Sequence, residues 1–207
     1  MTKTTMNRFD HYLPRLEQKG KELFGKAFRI YPEDRRLVSH LLAYFLKSKV
    51  PQGLDLHKGI LLTGPIGCGK TCLMSLLRFT LPEKERFVLK PTRRIAMEFS
   101  SGGFPVIEKY SYGSFHSGPP ALQAKAYCFD DLGLEPPVRH FGNELNIMAE
   151  VLLGRYELFV NQGMLTHATT NLSARELEAF YGNRVRSRLR SMMNLVSFGQ
   201  EAVDKRK

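Results

Sequence analysis

Apolar residues recur at helical spacing twice near the start of the chain. Phe9, Tyr12, Leu13 and Leu16 predict a short amphipathic helix over residues 7–19. A second helix is predicted to begin near Pro32, a residue suited to a first helical turn, and to end before the turn signal at 51–53. Packing on the core is favoured for the second helix, whereas the first is equally suited to packing and to binding a partner. The apolar stripe of the second helix consists of Leu37, Val38, Leu41, Leu42 and Phe45.

From residue 56 onward, short apolar runs alternate with amphipathic segments. The alternation predicts an α/β protein with a parallel sheet covered by helices on both faces. Residues 101–125 show no clear period and predict a loop rich in Gly, Ser and Pro. Helices are predicted after the glycine-rich loop at 64–69, over 92–103, over 143–163 and, as one helix or two, over 173–190. The predicted strands are GILLT (59–63), FVLK (87–90), AYCFDD (126–131), MLTHATTN (164–171) and MNLVSFG (193–199).

Length and composition fit one main domain. The chain has 207 residues, 43% of them hydrophobic, which is enough for one well-buried core. No apolar run approaches the roughly 18–20 residues that span a bilayer, and the first residues lack the apolar core of a signal peptide. Cys68, Cys72 and Cys128 have no spacing typical of a disulfide framework. We therefore expect a cytoplasmic protein with no membrane partner.

The net charge of +11 is concentrated at the two ends of the chain. Residues 1–58 contain twelve Lys and Arg against six Asp and Glu, and residues 184–207 contain seven against two. Residues 59–183 are balanced, with twelve of each kind. Two basic ends favour a polyanionic partner, and solvated surface charge is the alternative.

The glycine-rich loop has the spacing of a phosphate-binding loop. GPIGCGKT provides Gly64, Gly69, Lys70 and Thr71 at the fixed positions of the G-x-x-x-x-G-K-[ST] pattern. Glycines allow backbone N–H groups to converge on phosphate oxygens, the lysine contacts the β- and γ-phosphates, and the Thr hydroxyl can ligate Mg²⁺. We expect a nucleoside triphosphate to bind here. The predicted binding stretch is Gly64, Pro65, Ile66, Gly67, Cys68, Gly69, Lys70, Thr71 and Cys72.

Polar side chains follow two predicted strands at their carboxyl ends, where open α/β sheets bind ligands. In YCFDD, Asp130 is suited to hold Mg²⁺ and Asp131 to orient or deprotonate an attacking water, with a helix cap or a loop acid as the alternative. Glu135 is a weaker candidate for activating the water, because it lies beyond Gly133. Asn171 can bridge the water or the γ-phosphate, or it can simply cap the next helix.

Four arginines lie within the stretch YGNRVRSRLR. On a helix, Arg184 and Arg188 share one face, and Arg186 and Arg190 share another. Three interpretations are open from the residues alone: a solvated helix face, a contact with nucleic acid, or an arginine directed at the nucleotide of a neighbouring subunit. A planar guanidinium that is always charged suits phosphate oxygens.

Taken together, GPIGCGKT, CFDDLG, TTNLS and YGNRVRSRLR resemble, in order and approximate spacing, the motifs of the DnaC/IstB-like AAA+ ATPases. The resemblance covers about residues 56–199. It implies a five-stranded parallel sheet between helices, binding of ATP and Mg²⁺, side-by-side assembly into dimers, rings or spirals, and a grip on nucleic acid. The resemblance implies that Lys70 and Thr71 are the phosphate-loop pair and that Asp130 and Asp131 are the acidic pair. It also implies that Asn171 is the first sensor and Arg188 the arginine finger.

The chain departs from larger members of that family at both ends. Only EAVDKRK remains after the fifth predicted strand, so we expect no C-terminal helical lid and no second sensor borne by one. The N-terminal region is shorter than that of the helicase loaders, which puts a helicase partner in question. We predict a helical region over residues 1–55, which binds a partner or packs on the core. We predict an AAA+ P-loop ATPase domain with a basic tail over 56–207.

Residues 101–125 lie where the family presents elements that bind nucleic acid. Tyr110, Tyr112, Phe115 and His116, beside Lys109, would be suited to stack on the bases of a single strand. A disordered loop explains the same composition and is the favoured alternative.

These observations predict an ATPase that acts as an assembly switch on DNA, of the helicase-loader or transposition-helper kind, and that is weak as an isolated monomer. Its expected partners are DNA, single-stranded in our expectation, further copies of the chain, and a replicative helicase or a transposase. Two alternatives stay open: an ATP-binding protein with little turnover, and a small-molecule or nucleotide kinase. A kinase needs an arginine-bearing lid over its acceptor, whereas TTNLS and the arginine cluster indicate another chemistry.

Overall fold

The structure, a computed structural model, describes residues 10–48, 53–116, 123–140, 143–199 and 201–206. The chain divides into two compact units. The first contains Met1–Leu56 and Thr71–Arg86, and the second contains His57–Lys70 and Phe87–Lys207. Residues 71–86 thus group with the N-terminal region, whereas the boundary predicted from the sequence assigned them to the ATPase domain.

The first unit is helical in its described residues. The helix predicted over 7–19 begins as a 3₁₀ turn at Asp10–Tyr12 and continues as helix α1 (Leu13–Phe24), while residues 7–9 lie outside the described part. It extends beyond the apolar stripe because the chain first leaves helical geometry at Gly25, where φ is 98°. The unit also contains helix α2 (Arg35–Phe45), helix α3 (Lys70–Leu77) apart from its first residue, and 3₁₀ turns at Pro32–Asp34, Arg78–Thr80 and Glu83–Glu85.

Helix α2 is the second predicted helix, and Pro32 lies in the 3₁₀ turn that opens it. The predicted turn at 51–53 lies outside the described residues except for Gly53. The stripe residues that are buried are Val38, Leu41, Leu42 and Phe45.

Five parallel strands form the central sheet of the second unit, in the order β2-β5-β8-β1-β9. The remaining described strands form two short antiparallel pairs, β3-β4 and β6-β7. The predicted α/β fold with a five-stranded parallel sheet is therefore confirmed. In chain order the strands are β1 (Gly59–Thr63), β2 (Val88–Pro91), β3 (Phe115–His116), β4 (Gln123–Ala124), β5 (Tyr127–Leu132), β6 (Val138–His140), β7 (Asn143–Leu145), β8 (Thr166–Thr170) and β9 (Met193–Ser197).

A hydrophobic core joins one face of this sheet to four helices of the second unit. Leu61, Phe129 and Ala168, from the three adjacent strands β1, β5 and β8, belong to it. Their neighbours Ile60 and Cys128 alternate to the other face and are also buried, as is usual for parallel sheets. The four helices are α4 (Thr92–Gly102), α5 (Phe104–Tyr110), α6 (Ile147–Gln162) and α7 (Ala174–Met192).

Two regions differ from the sequence-based prediction. Residues 101–125 were predicted as a loop, but their described part contains the end of α4, all of α5 and the β3-β4 pair. Helix α5 is too short for a helical period to be recognised, with seven residues. The helix predicted over 143–163 begins only at Ile147, because Asn146 caps it and residues 143–145 pair with 138–140 instead.

Arg155 on α6 is a fully buried cation that binds four oxygen atoms. Its guanidinium donates to Thr166 Oγ1 at 2.5 Å and to the carbonyl oxygens of Tyr110, Lys125 and Leu165 at 2.9–3.3 Å. Burial lowers the pKa of Arg155 to about 10, so the group remains charged at neutral pH. The side chain therefore fastens α6 to strand β8 and to the segments around α5 and β4.

His167 is a second buried polar group, on strand β8. Its Nδ1 accepts the backbone N–H of Ile60 on the neighbouring strand β1 at 3.0 Å. Burial lowers the pKa of His167 to about 3, with the charge of Arg155 acting in the same direction. The imidazole is thus neutral in the folded protein.

No helix among the described residues is long and apolar enough to cross a membrane. After β9, residues 198–199 and 201–206 form no helix. They run back to the loop that follows β1, where the N–H of Lys205 donates to the Gly67 carbonyl at 3.0 Å.

Candidate functional site

The carboxyl ends of β1, β5 and β8 lie side by side because these strands are neighbours in the sheet. Thr63 at the end of β1 pairs with Thr170 at the end of β8, and Leu132 at the end of β5 pairs with the same residue. The loops that follow these three strands therefore meet at one edge. Ligands of open α/β sheets bind at such an edge.

The loop after β1 needs glycine for two reasons. Gly64, Gly67 and Gly69 have φ values of 151°, 79° and 101°, which side-chain-bearing residues rarely adopt. A Cβ at Gly64 would also lie 2.8 Å from Cβ of Phe198. Ile66 is exposed at the tip of the loop, and the chain enters α3 at Lys70. A glycine turn that leads into a helix directs N–H groups toward an anion.

Lys70 places its ammonium within this loop. Its Nζ donates to the carbonyl oxygens of Gly64 and Pro65, at 2.8 and 2.9 Å, and to Oδ1 of Asn171. The residue is buried, with 5% of its surface exposed, and burial lowers the pKa of the ammonium. These three oxygen acceptors are uncharged, and Cys68 Sγ, at 3.8 Å, is a weaker fourth partner. The acidic groups that act on the pKa of Lys70 in the opposite direction are Cys68, Asp131 and Asp130.

Asn171 contacts Lys70 and does not cap the helix that follows. The N-cap of α7 is Ser173, whose hydroxyl accepts the Glu176 N–H at 3.3 Å. The Glu176 carboxylate accepts the Ser173 N–H at 2.7 Å, which completes a capping box. The structure therefore excludes the capping alternative for Asn171.

A hydroxyl group links the two predicted acids. Thr169 Oγ1 donates to Asp130 Oδ1 at 2.7 Å and accepts the backbone N–H of Asp131 at 2.9 Å. The carbonyl oxygen of Asp131 accepts the Thr92 hydroxyl at 2.9 Å. Asp130 is buried and Asp131 only partly so. The orientation of the acid pair is thus set by strand β8 on one side and by α4 on the other.

The acid pair lies in a β-bulge. Phe129 pairs with Ala168 and Leu132 with Thr170, so β5 advances three residues where β8 advances two. Within the bulge Asp131 has a φ of 59°, in the left-handed region. This conformation costs a residue with a side chain roughly 1 kcal/mol. Backbone strain of this kind is concentrated at functional sites.

Glu135, the weaker candidate for water activation, has two partners elsewhere. Its carboxylate accepts the Gly133 N–H at 3.0 Å and the Tyr181 hydroxyl. Burial raises the pKa of Tyr181, and the charge of Glu135 acts in the same direction. The Glu135 side chain therefore ties the turn after β5 to α7.

Thr71 and Cys72 are the second and third residues of α3 and directly follow Lys70. At this position of a phosphate loop the hydroxyl is a Mg²⁺ ligand, and Mg²⁺ prefers oxygen donors. The Thr71 hydroxyl and the Asp130 carboxylate, the ligands predicted from the sequence, have that chemistry.

The arginine run lies on the second of two helical segments within α7. Gly182, at φ 83° and ψ 161°, separates the segments. Arg186 forms an ion pair with Glu178 at 2.7 Å, whereas the Arg188 guanidinium lies 4.4 Å from the centroid of the Tyr156 ring on α6. The role of Arg188 toward a neighbouring subunit stays a prediction. The exposed members of the run are Arg184 and Arg190.

Sequence reasoning missed the parts played by two side chains at the site. Thr169 was only one residue of the predicted strand MLTHATTN (164–171), although it links the two acids. Lys205 was counted only as part of a basic tail, although its ammonium donates to the Cys68 carbonyl at 2.7 Å. No local pattern signals a contact between residues 137 positions apart.

Comparison with solved structures shows that the fold of this chain is similar to the folds of helicase loaders and of a replication initiator. No family model and no curated protein matches the sequence. Solved structures do match, and the crystal structure of the DnaC helicase loader is 18% identical over 84% of this chain and 95% of that chain, with a TM-score of 0.57.

Two further structures extend this likeness. DnaI is 17% identical over 82% of this chain and 87% of its own, with a TM-score of 0.59. The replication initiator DnaA bound to AMPPCP and single-stranded DNA is 13% identical over 83% of this chain and 48% of its own, with a TM-score of 0.52. The predicted resemblance to DnaC-like ATPases is thus confirmed at the level of the fold.

Proposed function

We propose that this chain binds ATP and Mg²⁺, hydrolyses ATP, and acts as an assembly switch on DNA, in the manner of a helicase loader or a transposition helper. One observation carries the proposal: the Lys70 ammonium is held between phosphate-loop carbonyls and Asn171, beside the strand that carries Asp130. The fold shared with the DnaC helicase loader supports it.

Each residue of the site has a proposed task. The backbone N–H groups of loop 64–69 and the Lys70 ammonium bind the β- and γ-phosphates. Thr71 and Asp130 are the proposed Mg²⁺ ligands, and the ion, when bound there, neutralises charge on the phosphates. Asp131 orients or deprotonates the attacking water. Asn171 contacts the water or the γ-phosphate while its oxygen stays on Lys70.

Arg188 is the proposed contact to the ATP of a neighbouring copy. Its stacking on Tyr156 orients the guanidinium and leaves its charge unneutralised. Arg186 is less suitable, because it already pairs with Glu178. A site completed by the arginine of another chain has little activity in the monomer.

DNA is the proposed polyanion. The net charge of +11, concentrated at the two ends of the chain, favours contact with phosphates. The fold of DnaA, whose structure contains AMPPCP and single-stranded DNA, supports the combination of nucleotide and single strand. Of the aromatic residues considered for base stacking, Tyr110 is buried, whereas Tyr112 is 45% exposed. Tyr112 is therefore a better candidate than Tyr110, and His116 is exposed as well.

ATP hydrolysis measured against protein concentration, with and without single-stranded DNA, tests the proposal. We expect the specific activity to rise with concentration and with DNA. The variant Arg188→Ala should bind ATP and lose that rise, while Arg190→Ala, which removes an exposed arginine two positions away, should behave as the wild type. Flat activity together with an indifferent Arg188→Ala would contradict the assembly switch.

Mixing two inactive variants gives a sharper result. Lys70→Ala removes the phosphate contact, and Arg188→Ala removes the contact to the neighbour. In a mixed assembly, some interfaces combine the intact phosphate loop of an Arg188→Ala subunit with the intact Arg188 of a Lys70→Ala subunit. The mixture should therefore regain part of the activity. ATP binding by the wild type without any turnover would favour the low-turnover alternative instead.

A further inference from the structure

The segment after β9 returns to the phosphate loop and binds to its carbonyl groups. The backbone N–H of Lys205 donates to the Gly67 carbonyl at 3.0 Å, and its ammonium donates to the Cys68 carbonyl at 2.7 Å. Both partners belong to the second unit. We refer to residues 204–206 as the strap.

The two bonds fix the orientation of two peptide groups in the loop. A trans peptide is planar, so its C=O and N–H groups point in opposite directions. Holding the carbonyls of Gly67 and Cys68 on the strap side therefore turns the N–H groups of Cys68 and Gly69 to the opposite side. The Cys68 N–H also makes a long contact with the Pro65 carbonyl, at 3.4 Å. The Gly69 N–H is the donor that the strap orients toward an anion.

Two lysines share the carbonyl groups of the loop between them. The Lys205 ammonium is hydrogen-bonded to the Cys68 carbonyl and polarises the peptide group that contains this carbonyl and the Gly69 N–H. The polarisation makes the Gly69 N–H a stronger donor. The division of acceptors is complementary: Lys70 binds the carbonyls of Gly64 and Pro65, and Lys205 binds those of Gly67 and Cys68.

Close packing holds the strap in place. The Lys205 ammonium lies 4.8 Å from the centroid of the buried Phe198 ring. Asp204 packs so closely on Gly67 that a Cβ there would lie 2.1 Å from Oδ1. Arg206 donates from its backbone N–H and its Nε to Oδ1 of Asp204, at 3.0 and 3.2 Å, in an exposed ion pair of the kind that contributes little to stability. Glycine at position 67 is thus required by the strap as well as by its own φ of 79°.

We propose that Lys205 is a positioning residue that preorganises the phosphate loop for the phosphates of the nucleotide. This inference rests on the proposed function, because the ligand is the same ATP. Lys205 acts through the peptide groups at 67–69 and does not contact the nucleotide. A loop held in its binding conformation favours the ground state and the transition state alike, so the effect falls on affinity and KM and leaves kcat unchanged.

Three variants of the full chain test this role: Lys205→Met, Lys205→Arg and Arg206→Met. The first removes the ammonium that binds the loop, the second keeps a cationic donor, and the third removes the same charge one residue away. Titration with a fluorescent ATP analogue should show that Lys205→Met binds about tenfold more weakly. Lys205→Arg should recover most of that loss, and Arg206→Met should stay within about twofold of the wild type.

Two further readouts separate positioning from a structural role. The kcat of Lys205→Met at saturating ATP should match that of the wild type, while KM rises. Without nucleotide its melting temperature should be unchanged, whereas the rise in melting temperature on adding ATP should shrink.

Each contrary result has a distinct meaning. Equal affinities of Lys205→Met and the wild type overturn the positioning role alone. Equal losses of nucleotide affinity in Lys205→Met and Arg206→Met would show that the effect comes from net charge. That result would also overturn the positioning role. A wild type that binds no nucleotide overturns both the proposed function and the positioning role.

Discussion

The Lys70 ammonium and the side-chain oxygen of Asn171 are in direct hydrogen-bond contact, although 101 residues separate them in the chain. The contact exists because β1 and β8 are neighbours, so the loop after one strand meets the first residue after the other. The side chain proposed to contact the γ-phosphate or the attacking water is thereby joined to the one proposed to bind the phosphates.

Replacing Asn171 by Ala should separate binding from hydrolysis. Lys70 keeps its two carbonyl partners, so nucleotide affinity should change by no more than about threefold. The hydrolysis rate should fall by about 100-fold, the loss typical when one polar group aligned with the transition state is removed. Single-turnover hydrolysis and nucleotide titration measure the two effects.

The control for this variant is Ser173→Ala, two residues further along. It removes the capping box of α7 and should lower the free energy of unfolding by about 1 kcal/mol without changing the hydrolysis rate. If the two variants hydrolyse ATP equally well, Asn171 has no role in the chemistry.

Substitutions of Asp131 should reveal a conflict between stability and activity. Asp131→Asn should stop hydrolysis and leave ATP bound, because asparagine tolerates the left-handed conformation but is no base. Asp131→Gly should also be inactive, yet at least as stable as the wild type, because glycine adopts a φ of 59° without strain. Urea denaturation measures the stability, and nucleotide retention after gel filtration measures the trapped ATP. Unchanged turnover in Asp131→Asn would remove Asp131 from its role.

Arg155 should be among the most sensitive positions in the second unit. Arg155→Met leaves two buried and two partly buried acceptors without this donor, which should lower the free energy of unfolding by about 3–5 kcal/mol. The matched control, Arg184→Met, removes an exposed arginine and should cost less than about 0.5 kcal/mol. Chemical denaturation at pH 7 compares the two, and similar midpoints would refute the structural role of Arg155.

His167 should make stability depend on pH. The folded protein keeps a neutral imidazole down to a pKa of about 3, whereas the unfolded chain takes up a proton near its ordinary pKa of 6.5. Between these values the unfolded state binds more protons, so the free energy of unfolding falls as the pH falls. The contribution is complete above about pH 6.5 and is lost toward pH 3, at up to about 1.4 kcal/mol per pH unit.

The variant His167→Asn tests this linkage, because it keeps an acceptor for the Ile60 N–H and removes the titrating group. Its urea midpoint should vary less than that of the wild type between pH 7.5 and pH 4.5. A parallel pH dependence in both proteins would exclude His167 as the cause. Glu98 does not interfere above about pH 4.5. Partial burial would raise the pKa of Glu98, but hydrogen bonds from Lys90, Tyr110 and Lys109 lower it to about 2.

The sheet was predictable from the sequence because the buried strands of a parallel sheet are nearly continuous apolar runs. All five predicted runs became strands of the sheet. Helix α5 and the short antiparallel pairs were missed because each is shorter than the window over which a period can be recognised. The order of the strands within the sheet also cannot be read from any single apolar run of the sequence.

The same distinction applies to the site. Lys70, Asp130, Asp131 and Asn171 were predicted because each lies in a short local pattern. The partner of Asn171 and the link through Thr169 depend on β5, β8 and β1 being adjacent, which only tertiary packing decides. The contact of Lys205 with the loop depends on the path of the chain after β9.

The bulge in β5 makes the acid pair dependent on chain length as well as on residue type. One extra residue between Phe129 and Leu132 accommodates both aspartates opposite Thr169. Deleting a single residue there would restore regular pairing with β8, because both strands would then advance by two residues between the paired positions. The sheet would tolerate the deletion and the acid pair would be lost. A lineage could therefore lose the proposed hydrolysis in one step while keeping the fold, and we expect a homologous chain with its motif one residue shorter to bind nucleotide without hydrolysing it.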